Sequence, residues 1–320
     1  MRKILITGGA GFIGSAIAEK LLKDKDNFVV VVDNLLTGSL DRLPQNNPSN
    51  FKFIKCDVNT LSDILPVMVS YSFDYVFHYA AVVGVQRTLC NPVKVLEDIQ
   101  GIKNVLDLCK NTGVKRVFFS SSSEVYGEPV EFPQNELTTP LNSKLPYAVV
   151  KNVGESFCRS YKREFGLDYT IFRFFNTYGP KQSTDFVMSR FIRRAQAGEL
   201  IPVFGDGMQT RTFCFVDDNV DAALACLYRN VHVNDVVNIG NDHEITILQL
   251  AESVIRALGS KSGIRHMPAL EEGDMNRRKP DIAKMRNLLD RDLLPLEEGI
   301  LRIAKDPRFA RPAAVADTSV

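Results

Sequence analysis

Short apolar runs alternate with stretches of helical periodicity through the first two-thirds of the chain. Lys3 to Thr7, Phe28 to Asp33, Phe51 to Asp57, Tyr75 to Ala81, Arg116 to Ser120 and Tyr169 to Phe174 are strand-sized and rich in β-branched and aromatic residues. Between them, Ile13 to Lys23, Val93 to Thr112 and Pro146 to Phe165 repeat apolar positions at helical spacing. Strands that are apolar almost throughout are buried on both faces, and helical connections make them parallel. The pattern predicts an α/β fold, a doubly wound parallel sheet, over about residues 1–175.

Beyond Gly179-Pro180 the pattern is less regular. It predicts a helix over Asp185 to Ala197 and a strand over Ile201 to Phe213 with a turn at Gly205-Asp206-Gly207. Asp217 or Asp218 would cap a helix running to Leu227, and Val236 to Ile239 reads as a buried strand. Thr246 and Gln249 have capping-box spacing at the start of a helix to Leu258. Residues 176–305 are expected to form a smaller, mixed domain, with about 213–240 returning to the first sheet. Residues 306–320 lack periodicity and are expected to be a disordered tail.

Composition narrows the function classes. Thirty-nine basic and 38 acidic side chains leave +1, so no global field attracts nucleic acid or a membrane surface. No apolar run reaches the length of a membrane span. Arg2-Lys3 lead straight into the first strand without a signal-peptide core, which makes a cytoplasmic location the expectation. Six cysteines and four histidines show no CxxC or HxxxH spacing, which argues against a disulfide scaffold or a structural zinc.

The first chemistry-bearing segment is Gly8-Gly9-Ala10-Gly11-Phe12-Ile13-Gly14, between a strand and a helix. Gly8, Gly11 and Gly14 would allow a tight turn, close approach to a pyrophosphate, and helix–strand packing. The first helical turn, with Phe12 and Ile13, would supply N–H groups to the phosphates. Asp33, ending the second strand, is placed to accept hydrogen bonds from an adenosine ribose and would repel a 2′-phosphate. Asn34 beside it is neutral, so NAD is favoured over NADP in this Rossmann-type site. Asp57, at the end of the third strand, is a candidate partner for the adenine.

The second segment is Tyr147-Ala148-Val149-Val150-Lys151, which puts a phenol and an ammonium on one helical face behind Pro146. Upstream, Ser120 to Ser123, Glu124, Val125, Tyr126 and Gly127 follow the carboxyl end of the fifth strand, where open α/β sheets bind ligands. Lys151 and a positive nicotinamide ring are expected to lower the Tyr147 pKa, letting it accept a substrate hydroxyl proton.

With these segments assembled, the chain resembles the extended short-chain dehydrogenase/reductase family, specifically its NAD-dependent nucleotide-sugar epimerases and dehydratases. The resemblance runs over about residues 1–305. It is carried by TGGAGFIGS, Asp33-Asn34, His78-Tyr79-Ala80-Ala81, SSSSEVYG, YAVVK, RFFNTYGP and FGDGMQTRTFCFVDD. It implies a retained NAD, reduced and reoxidised within one turnover, and a UDP-linked hexose between two domains. By similarity Ser122 lies beside the sugar's 4-oxygen with Ser123 next to it, Tyr147 is the base and Lys151 its electrostatic partner. Val58 joins Asp57 in the cofactor pocket. Asn176, Arg211, Arg87, Asp274, Arg277 and Arg278 fall on the substrate side. A homodimer is implied through the helices Val93 to Thr112 and Pro146 to Phe165, with Val149, Val153 and Phe157 on the second, although these apolar faces equally fit packing within the chain.

The reaction is read from smaller features. Ser123-Glu124 before VYG resembles the UDP-glucuronate decarboxylases, whereas the 4,6-dehydratases carry Asp-Glu there. A carboxylate at this rim can exchange the C5 proton once C4 is a ketone, unless Glu124 instead pairs with Arg87. Arg277-Arg278-Lys279-Pro280-Asp281 resembles the decarboxylases' C-terminal motif, while PYAVVKNVGE is closer to the epimerases and dehydratases. Glu271 stands where many epimerases have a diphosphate-binding arginine, leaving that charge to Arg277 or Arg211. The expectation is dehydration or decarboxylation of a UDP-hexose with Glu124 as the C5 acid/base, and 4-epimerisation is the alternative. A dinucleotide-sensing regulator would have no use for Tyr147 and Lys151.

Overall fold

The structure, a computed structural model, describes residues 1–46, 48–84, 88, 90–268 and 277–307. Six strands in chain order, β1 (Arg2–Thr7), β2 (Asn27–Asp33), β3 (Phe51–Lys55), β4 (Tyr75–His78), β5 (Arg116–Ser122) and β6 (Asp168–Phe174), form the body of a parallel sheet. A seventh strand, Asp235–Ile239, comes from the C-terminal half and pairs in parallel with β6. Spatially the order is β3-β2-β1-β4-β5-β6 followed by the seventh strand, so the direction of winding reverses between β1 and β4.

The uniform apolarity of these strands follows from packing on both faces. Ile4, Ile6, Val29, Val31 and Phe118 belong to one buried cluster, while Leu5, Val30, Val32, Val117 and Phe119 belong to the other. Neighbouring residues point to opposite faces, and helices cover each. The helix Pro146–Phe165 packs on β5 so closely that a Cβ at Gly154 would lie 2.2 Å from Phe119 Cζ.

Local reading and tertiary structure part company at three places. The run Ile201 to Phe213 is two strands, not one with a hairpin turn. Gly205 and Gly207 both take positive φ and redirect the chain. Ile201–Phe204 pairs with Ile264–Met267, and Thr210–Thr212 pairs antiparallel with Glu244–Thr246. Neither Asp217 nor Asp218 is a cap: the helix Val216–Tyr228 begins ahead of them. Asp218 is buried against Arg291 and accepts from the Leu294 N–H, and Asp217 pairs with Arg302, so both serve tertiary contacts. The helical run Val93 to Thr112 is interrupted at Glu97, giving Pro92–Leu96 and Asp98–Thr112. The Thr246 box forms as expected, with Thr246 Oγ1 accepting from Gln249 N at 3.0 Å and Gln249 Oε1 from Thr246 N at 2.8 Å. Residues 308–320, and with them most of the expected tail, lie outside the described residues.

Candidate active site

Every motif of the first half ends at the carboxyl edge of the sheet, around the β1–β4 reversal where such sheets bind ligands. Gly8 follows β1 with φ +66°, and a Cβ there would lie 2.6 Å from Ala80 N after β4. A Cβ on Gly14 would meet Gly8 O at 2.6 Å. The loop therefore closes on the helix Phe12–Leu21, which starts at Gly11 without a side-chain cap. Its first-turn N–H groups, at Phe12, Ile13 and Gly14, have no acceptor within the helix and suit an anion.

Asp33 closes β2 beside this loop. Its Oδ2 accepts from Ala10 N at 3.0 Å and its Oδ1 from Leu35 N at 2.8 Å, while burial raises its pKa against those hydrogen bonds. Asn34 donates to Asp57 Oδ2 at 3.1 Å, and Val58 is buried behind them with its carbonyl on Asn104. Cradle, acid and neutral neighbour together fit a dinucleotide bound with its pyrophosphate at the helix start.

Pro146 opens the helix that carries Tyr147 and Lys151. Lys151 is only 3% exposed, and its Nζ donates to Ser120 Oγ at 3.3 Å and lies 5.7 Å from the centre of the Tyr147 ring. Burial pulls its pKa down to about 8, opposed by the carboxylate of Asp98. Asp98 was not singled out from the sequence. It is buried, holds Val82 N at 2.6 Å, and its position between the buried Val95 and Ile102 on the apolar helix face was the available signal. His78, also buried, bonds Thr7 Oγ1 at 2.8 Å, and burial drives its pKa to about 3, so it is neutral.

The tyrosine departs from expectation. Burial, then the nearby Glu124 charge, push the Tyr147 phenol well above its ordinary pKa, and a hydrogen bond with Ser122 offsets only part of this. Lys151, whose ammonium bonds Ser120, is not among the groups that set this shift.

Glu124 starts where β5 ends, and its N–H donates to Ser122 Oγ at 3.2 Å. Its Oε1 is 2.7 Å from Nη1 of Arg278, which is almost wholly buried. Its Oε2 is buried without a hydrogen-bond partner among the described residues. Ser123 beside it is buried. Arg277, by contrast, is exposed, forms a two-point ion pair with Glu244 at 2.6 and 2.8 Å, and stacks over Phe132. Arg211 lies on the strand paired with the Glu244 strand, and its Nη1 donates to Thr210 O. Asn176 follows β6 with a buried Nδ2 that has no partner among the described residues. Arg87, Glu271 and Asp274 lie outside the described residues.

A dinucleotide cradle at a sheet reversal, with a tyrosine–lysine pair and a serine beside it, defines the class of nicotinamide-dependent Rossmann proteins. The chain belongs to the NAD dependent epimerase/dehydratase family, whose model matches residues 4–240, and its cofactor is NAD. It is 36% identical over 308 residues to UDP-glucuronic acid decarboxylase 1 of Danio rerio, covering 93% of this chain and 71% of that protein. It is equally 36% identical to UDP-glucuronic acid decarboxylase 3 of Arabidopsis thaliana over 319 residues, 96% of this chain and 89% of the other. Among solved structures, the UDP-glucose 4-epimerase of Thermotoga maritima with UDP-glucose superposes with a TM-score of 0.89 at 32% identity, covering 96% of this chain and 99% of that one. Among the described residues no helix is long and apolar enough to cross a membrane.

Proposed function

We propose that the protein is a UDP-glucuronate decarboxylase that works through a 4-keto sugar. The observation that carries this reading is the Arg278–Glu124 ion pair at 2.7 Å, joined through Ser122 to Tyr147. A simple 4-epimerase has no use for an acid and a guanidinium at the C5–C6 end of the sugar. Gly8, Gly11, Gly14 and Asp33 would hold NAD, which would supply reversible hydride exchange at the sugar's C4, so that the sugar is a ketone between the two transfers. Tyr147 holds the O4 proton meanwhile, with Ser122 bonded to it and Lys151 as the neighbouring positive charge.

A guanidinium can bridge two carboxylates, so Arg278 brings the sugar's C6 carboxylate beside Glu124. With C4 a ketone, the C5–C6 bond breaks and its electron pair moves to the C4 oxygen as an enolate while carbon dioxide leaves. Glu124 then passes a proton, drawn from water, to C5. Arg211 and Asn176 suit the diphosphate, with the Arg277–Glu244 pair at the rim. A cytoplasmic location for the enzyme is part of this proposal. The helices Asp98–Thr112 and Pro146–Phe165 are proposed as its homodimer face.

Turnover in D2O tests the role of Glu124. One solvent deuterium is expected at C5 of the pentose product. Glu124→Gln is expected to slow its formation by roughly 10²–10⁴-fold, the usual worth of an acid/base group, while C4 oxidation persists. The likeness to the Thermotoga epimerase favours 4-epimerisation as a second reading. An active Glu124→Gln enzyme whose product carries no deuterium on carbon would establish that reading instead.

A further inference from the structure

A buried polar network runs behind the site. Glu155 lies one turn beyond Lys151 on the same helix and is fully buried. Arg173 of β6 grips it twice, Nε to Oε1 at 2.9 Å and Nη2 to Oε2 at 2.8 Å, and Ser121 Oγ donates to Oε1 at 2.7 Å. Arg173 Nη1 also donates to the Tyr126 hydroxyl at 2.9 Å, and that hydroxyl donates to Asn238 Oδ1 at 2.7 Å. Asn238 sits on the sheet's edge strand. Its Nδ2 donates to Gln134 O at 2.9 Å and Asp281 O at 3.3 Å, and its N–H donates to Glu136 Oε1 at 2.9 Å. Gln134 in turn accepts from Asp281 N at 2.8 Å and donates its N–H to Lys279 O at 2.7 Å.

These bonds close a ring. Lys279 follows Arg278, Arg278 is paired with Glu124, and Glu124 stands two residues before Tyr126. Burying an Arg–Glu pair brings little net stability, because desolvation offsets the attraction. The Glu124 side chain is 24% exposed, so solvent weakens its hold on Arg278. We propose that Tyr126 and Asn238 are positioning residues that hold Arg278 against Glu124 and fix that end of the site relative to the Tyr147–Lys151 helix. This inference rests on the decarboxylase reading. Removing the Tyr126 hydroxyl strips one partner each from Arg173 Nη1 and Asn238 Oδ1 inside the protein, which slackens the ring on both sides.

The test uses the NAD-loaded full-length enzyme with UDP-glucuronate. It follows carbon dioxide release, the early rise of reduced-nicotinamide absorbance, and thermal melting. No carbon dioxide from the wild type overturns the decarboxylase reading and this inference together, and the remaining outcomes bear on the inference alone. Tyr126→Phe is expected to release carbon dioxide about 10–100-fold more slowly, the scale of a small misplacement of reacting groups. Reduced nicotinamide is expected to form at the wild-type rate and accumulate. Asn238→Ser cuts the same link from the other side and is expected to show the same split should Tyr126→Phe not fold. In an Arg278→Met background, adding Tyr126→Phe is expected to cost nothing further, because both act through one group. Wild-type carbon dioxide release by Tyr126→Phe, an equal loss in both steps, or a full additional loss on top of Arg278→Met would each overturn the proposal.

Discussion

Lys151 is an ammonium nearly sealed from water, with burial drawing its pKa down to about 8 and Asp98 holding it up. In the proposed mechanism the protonated form supports proton transfer at Tyr147, so turnover is expected to fall as pH rises past about 8. His78, neutral through the working range, does not contribute to that limb. Asp98→Asn keeps an acceptor for Val82 N but removes the opposing charge, so the alkaline fall is expected to begin at lower pH. A pH–rate profile checks this, and an unmoved limb in a normally melting variant would detach Asp98 from the mechanism. Tyr147, Lys151 and Asp33 were legible in the sequence because their spacing is local to one helix or one strand end. Asp98 was not, since an acid inside a helical pattern declares itself only when its neighbours are known to be buried. The raised Tyr147 phenol was missed because the sequence shows the helpful lysine but not how tightly the ring is enclosed.

At the scale of elements, the helix Pro146–Phe165 matches its predicted limits because both ends are locally coded. Pro146 suits the first turn, and Gly166 takes the left-handed conformation that stops it. Its inner face carries Ala148, Lys151 and Glu155 to the sheet, whereas Val149, Val153 and Phe157, four residues apart, stay partly exposed. That stripe, although Phe157 also packs on the core and against Tyr161, is the face proposed for the homodimer. Sedimentation is expected to give twice the chain mass for the wild type and the chain mass for Val153→Arg, with similar melting. A monomeric wild type would remove the interface. The run Ile201 to Phe213 shows the opposite case. Its strand propensity was real, but each half pairs with a strand more than thirty residues away. Nothing local encodes that choice. Asp217 and Asp218 likewise had the right chemistry for a cap, but Asp217 is claimed by Arg302 of the last helix and Asp218 by Arg291 in the segment before it.

Over the whole molecule, the seventh strand returns the C-terminal half to the sheet edge, and Gln134 and Asn238 dock the segment that carries Arg278. In the proposed reading this arrangement sets the reaction. Glu124 and Arg278 were each singled out from sequence, but Arg87 was the only partner weighed for Glu124 there. Their pairing depends on two distant loops meeting at one strand. With a net charge of only +1, a doubly or triply anionic substrate gains little from the global field. Discrimination has to come from the arginines at the site itself. The most direct measurement is the mass of the product after incubating the purified enzyme with UDP-glucuronate, UDP-glucose and UDP-N-acetylglucosamine in turn. Loss of carbon dioxide from UDP-glucuronate alone is the expected result, whereas an isobaric product or loss of water from any of the three would contradict the account.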